Sequence, residues 1–194
     1  MEKELAQHII NNVNAMRLNA QEMRMWKNIP LAQECVSMLK QLDDPEETPL
    51  GKALACQAIA QLLPEYDVPR LVIKILKYEL RLLQSTDEDK SQLPEEQVAA
   101  DIARLEDYID TEHVSDEEFS ERYRRMLKAD PIERTPLWED NYYEAELECD
   151  RRLGDEPRGM GFCFAHWSTL RAVLSERGIK WRSPSEMNPH VIFD

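Results

Sequence analysis

Apolar residues recur at three- and four-residue steps along most of this chain, the spacing that places them on one face of an α-helix. Leu5, Ile9, Val13, Met16, Ala20 and Met23 form the first such stripe, predicting a helix over 2–27 that ends before Pro30. Leu31, Cys35, Met38 and Leu42 predict a second, stopped by a turn at Asp43, Asp44 and Pro45. A third stripe, Leu50, Leu54, Ala58 and Leu62, is widened by Ala55, Ile59 and Leu63 and runs to Pro64. The stretch 68–84 is the most apolar. Its Leu71, Val72, Ile75, Leu76, Leu80, Leu82 and Leu83 cover most of a helix circumference, so it is the expected central helix.

A polar connection, 85–94, follows and is the place for any internal boundary. Beyond it, Val98, Ile102, Leu105 and Ile109 mark a fifth helix. Ser115 and Glu118 have capping-box spacing, in which each side chain bonds the other residue's backbone N–H, so a sixth starts there with Phe119, Tyr123, Met126 and Leu127 as its buried face. Thr135 caps a seventh with Pro136 in its first position, where a missing N–H costs nothing, and Trp138, Tyr142, Ala145, Cys149 and Leu153 are its stripe. The eighth runs from Phe162 to a left-handed cap at Gly178, with Cys163, Trp167, Leu170 and Leu174 on one side.

Residues 179–194 contain Pro184 and Pro189 and are expected to be extended, yet docked, with Trp181 and Phe193 as anchors and Arg182 paired with an acidic helix. Ile179, Met187, Val191 and Ile192 add apolar surface too large for a solvated tail. No residue pattern recurs at a fixed period, which favours an irregular bundle over a solenoid. The expectation is one all-α domain over 1–194, an irregular bundle of about eight amphipathic helices with an extended C-terminal segment. Composition agrees, because 5 glycines against 11 prolines suit helices stopped by proline better than strands joined by turns.

Charge adds a functional constraint. The net charge is −14, and between Ser85 and Glu118 there are 13 acidic residues against 2 basic ones. Such a surface repels nucleic acid and anionic membrane and attracts a protein partner with a basic surface. Cys35, Cys56, Cys149 and Cys163 form no CxxC, and the opening MEKELAQHII has neither a basic nor an apolar signal region, so a cytoplasmic protein with reduced thiols is expected. No run approaches the ~20 apolar residues that cross a bilayer. Methionines on the first helix leave room for a homodimer.

Candidate chemistry is sparse. Arg70, Lys74, Lys77 and Arg81 line one helix face as an anion groove, or as a face that is solvated or paired with the acidic segment. Cys163 and His166 have the spacing of half a zinc site or of a nucleophile with its base, but the remaining ligands are missing and Cys163 falls in line with core residues. No metal and no cofactor are expected. Gly159-Met160-Gly161 before the eighth helix reads as an interhelical turn, or, with Arg158 beside it, as an anion cradle. Glu144, Glu146 and Glu148 read as a solvated face, since a di-iron bundle requires Glu-x-x-His motifs that the chain lacks.

The ending WRSPSEMNPHVIFD resembles that of a family of small uncharacterised bacterial proteins. The resemblance covers about the last quarter of the chain, implies a bacterial cytosolic source, and brings no activity with it. The reading is therefore a non-enzymatic interaction or adaptor protein that uses an acidic helical surface. The alternative is an enzyme or small-ligand binder with a pocket where Arg158, Cys163, His166, Trp181 and Arg182 meet.

Overall fold

The computed structural model describes residues 2–42, 48–91, 93–124, 126–154 and 156–193, so the turn expected at Asp43, Asp44 and Pro45 lies outside the described residues. Among these, every regular element is helical: α1 (Glu2–Gln21), α2 (Asn28–Gln41), α3 (Pro49–Ala60), α4 (Pro69–Gln84), α5 (Glu95–Ile109), α6 (Asp116–Arg122), α7 (Pro136–Leu153), α8 (Phe162–Glu176) and α9 (Pro184–Met187). Single 3-10 turns, Met25–Lys27 and Pro131–Arg134, lead into α2 and α7. The all-α reading holds. The chain forms two compact units, Met1–Asp107 and Tyr108–Asp194. Their division falls near the end of α5, and the polar connection at 85–94 lies inside the first unit with Leu93 buried.

In the first unit α1 packs on α2 and α3 packs on α4. The stripe of α1 buries Ile9, Val13 and Met16 as its spacing predicts, but the helix stops six residues short of the expected end. Met23 turns left-handed, with φ 58°, and is exposed. Its N–H bonds the Ala20 carbonyl and the Arg24 N–H bonds that of Asn19, the Schellman pattern that satisfies a helix C-terminus. Pro30 does not end a helix. It sits in the first turn of α2, where its absent N–H would have had no intrahelical acceptor. Asn28, at the start of α2, is fully buried and ties three segments together. Its Nδ2 donates to the carbonyls of Met16 and Leu62, 3.0 and 2.7 Å away, and its Oδ1 accepts from Asn19.

In the second unit α7 and α8 pack together, burying Trp138, Tyr142, Ala145, Cys149 and Leu153 against Leu170, Val173 and Leu174. Thr135, Pro136 and the Ser115–Glu118 capping box act as expected. Gly178, with φ 75°, closes α8 by a second Schellman pattern, since the N–H of Ile179 reaches the Leu174 carbonyl. Helix α6 is shorter than expected, ending at Arg122, and Met126 and Leu127 beyond it are exposed instead of buried.

The tail is docked but not fully extended. Ser183 and Glu186 form a capping box around Pro184, which makes the single turn α9. Ile179 and Trp181 are buried, Phe193 packs edge-on to Trp167, and Asn188 accepts from the Lys128 N–H and donates to its carbonyl, both at 2.8 Å. Ile192 remains in solvent. Asn28→Ala removes three hydrogen bonds from a fully buried side chain, so a loss of about 2 to 4 kcal/mol is expected. Asn188→Ala, at a half-exposed site, should cost about 1 kcal/mol. Thermal melts of the two variants check both values; equal, negligible shifts would refute the role assigned to Asn28.

Candidate functional site

The two cation-bearing sites read from the sequence have different fates. On α4, Arg70, Lys74, Lys77 and Arg81 do share a face and line a shallow groove with Ile73 and Leu80. Lys77, however, pairs at 2.6 Å with Glu106 of the acidic helix α5, and Arg81 turns back onto the Lys77 carbonyl and lies over the Tyr78 ring. Part of the stripe therefore neutralises the acidic segment that follows it in sequence.

The five residues of the alternative pocket take up two separate sets of partners within the second unit. Arg158 pairs with Asp150 and lies over the ring of Phe162, which stacks on His166. His166 turns its Nε2 toward Oε2 of Glu146, 2.9 Å away on α7. Cys163, one turn before His166, is half-buried. Trp181 instead donates its indole N–H to Oε1 of Glu133 at 2.6 Å and tilts against Trp138. Arg182 donates its backbone N–H and its Nε to Oδ2 of Asp130, both at 2.9 Å. Asp130 and Glu133 are the capping box of the turn Pro131–Arg134. The acid that receives Arg182 is thus a cap and not a helix face. Each cation in the set meets a carboxylate of its own, which leaves neither one free to hold an anionic substrate.

Gly159-Met160-Gly161 is a turn whose carbonyls receive the N–H groups of Phe162 and Phe164. The solvated face read into Glu144, Glu146 and Glu148 needs correction at two positions. Glu146 is buried against His166, and Glu148 is held by Arg151 and Arg152, which keep its carboxyl down at about 2.

Thiol chemistry finds little support at the three fully buried cysteines. Burial pushes Cys35 up to about 11 and Cys56 and Cys149 up to about 12, so these thiols stay protonated near neutral pH and are poor nucleophiles. Among the described residues no group of three His, Cys, Asp or Glu side chains is placed to hold a metal ion, and no helix is long and apolar enough to cross a membrane.

Two buried ionisable groups were not singled out from the sequence. Arg134 is 2% exposed, lies 3.9 Å over the Phe119 ring and donates to Asp116. Glu79 is 1% exposed, and neither carboxylate oxygen has a hydrogen-bond partner. Its signal was present: Val72, Ile75, Leu76, Glu79 and Leu83 follow helical steps, which places one acid inside the most apolar stripe of the chain. Compared with family models, curated proteins and solved structures, the chain matches none.

Glu79 and Glu133 are both pushed up to about 7 from an ordinary 4.5, chiefly because burial penalises the charged carboxylate. The folded chain therefore holds more protons than the unfolded chain between these values. Their contribution to stability is complete below pH 4.5 and is lost as pH rises through 7. Urea titrations should show Glu79→Gln and Glu133→Gln each gaining stability relative to the parent chain across that window. Differences that stay constant with pH would show that neither group titrates there.

Proposed function

We propose that this is a non-enzymatic interaction protein of the cytoplasm whose acidic surface over 85–107, in α5 and the connection before it, receives a basic segment of a protein partner. The observation that carries this reading is the charge left over after internal pairing. In the first unit, residues 85–107 hold 8 acidic side chains against Lys90 and Arg104. Lys90 pairs with Glu95, and Arg104 pairs with Glu65 and Asp101. Lys77 of α4 takes Glu106. Asp87, Asp89 and Glu96 remain exposed, with no cation beside them in these pairings.

An exposed excess of one sign raises the local concentration of the opposite sign and speeds encounter more than it tightens the final complex. Four thiols outside any disulfide are compatible with a reducing compartment. The enzyme reading draws less support, because Arg158, His166, Trp181 and Arg182 are each turned to separate structural partners.

Octalysine is a suitable probe. Titrated into isotope-labelled protein, it should move amide signals around Asp87, Asp89 and Glu96, and the shifts should fade between about 0.1 and about 1 M salt as the Debye length falls from ~10 to ~3 Å. Reversing these three residues to lysine should weaken binding by about tenfold and slow association. Shifts spread evenly over all acidic helices, or insensitive to salt, would overturn the proposal.

A further inference from the structure

Glu79, whose orphan carboxylate oxygens are sealed from solvent, lines a cavity of about 240 Å³ formed by α3, α4 and the segment 93–104. Ala60, Val72, Leu76 and Leu93 supply apolar wall, and the amides of Gln57, Gln61 and Gln97 supply further acceptors. Three carboxylates, those of Glu65, Glu79 and Asp101, line it against one guanidinium, that of Arg104. Arg104 is already committed: it donates to Glu65 at 2.9 Å, to the Tyr66 hydroxyl at 2.8 Å and to Asp101 at 3.5 Å. Glu79 is left without a counter-ion in a place where an unpaired charge is costly.

We propose that this cavity binds a small organic cation carrying N–H donors, an alkylammonium or alkylguanidinium, with its head on Glu79 and its carbon chain along the apolar wall. Both carboxylate oxygens lack partners, so they offer the two-point acceptor that such heads recognise. A bare metal ion fits less well, because the described residues group no three metal-ligating side chains there or elsewhere. Of the other charged groups acting on this corner, Asp101 of α5 raises the Glu79 carboxyl, Glu79 in turn raises the Cys56 thiol of α3, and Lys40 of α2 lowers that thiol without pairing with Glu79. The same head group occurs on a free amine and on a lysine or arginine side chain of a partner. The inference does not rest on the acidic-surface reading, since it follows from one buried carboxylate and its cavity.

Carbon-detected NMR of the full chain, labelled at its glutamate carboxyls, tests it with n-butylammonium, n-butylguanidinium, n-butanol and N-acetyl-lysine amide. The expected result is a saturable shift at Glu79 with either cation, at least tenfold weaker with butanol, and a fall of the Glu79 titration midpoint at saturation, because a neighbouring cation favours the ionised form. Glu79→Gln should lose at least tenfold in affinity, while Glu96→Gln on the outer surface of α5 should change nothing. Tighter binding of the alkyl cations than of the blocked lysine points to a free amine, and the reverse order points to a side chain; both support the site. No saturable shift at Glu79, an equal response to butanol, or parent-like affinity in Glu79→Gln overturns it. Should Glu79→Gln fail to fold, the carboxyl shift and midpoint in the parent chain decide alone. Octalysine shifts at Asp87, Asp89 and Glu96 are read separately, so failure of either proposal leaves the other standing.

Discussion

A polar group taken out of water must find a partner, and this helical protein is organised by how it meets that requirement. Asn28 is the clearest case. One buried amide satisfies the carbonyls of Met16 and Leu62 and the side chain of Asn19, so the register of α1, the start of α2 and the end of α3 are set together. Apolar stripes can slide by a turn without much loss of buried area, whereas hydrogen bonds at 2.7 to 3.0 Å cannot. The second unit uses carboxylates in the same way. Asp130 caps a 3-10 turn and holds Arg182, Glu133 receives the indole of Trp181, and Glu146 receives His166. The tail is placed by these bonds as much as by its apolar residues.

How much of this was legible depended on range. Helices α3, α4, α5, α7 and α8 follow from apolar spacing, helped at α7 by the Thr135 cap, an interaction between residues three apart, and at α8 by Gly178. The ends of α1 and α6 were not legible. Met23 occupies a left-handed position usually given to glycine, and the apolar pair Met126 and Leu127 continues a helical spacing after the hydrogen bonding has stopped. The tail's apolar content implied docking, but the Ser183–Glu186 box inside it was hidden by Pro184, which reads as a helix breaker although it is well suited to a first turn.

The candidate site was harder to read for a physical reason. Sequence places Arg158, His166, Trp181 and Arg182 close together along the chain, but a side chain's direction is set by whichever counter-charge lies nearest in space. Asp150, Glu146, Glu133 and Asp130 lie between 8 and 52 residues away from the groups they hold. Glu79 shows the opposite failure. It was overlooked because it interrupts no pattern of charge, although an acid at a core position of the most apolar helix is the exceptional residue of that segment.

The acidic exterior of α5 and the cavity behind it differ in what solvent does to them. Charges such as Glu96 are exposed, screened by salt and individually contribute little. Glu79 lies where screening is weak, and its two unpaired oxygens make one interaction with a cation worth more than any single contact outside. Burial also keeps this carboxyl largely protonated below about 7, so an arriving cation must displace a proton as well as water. The cavity therefore distinguishes a cation that can donate hydrogen bonds deep in an apolar setting from one attracted merely by negative charge, a distinction the outer face of the same helix has no means of making.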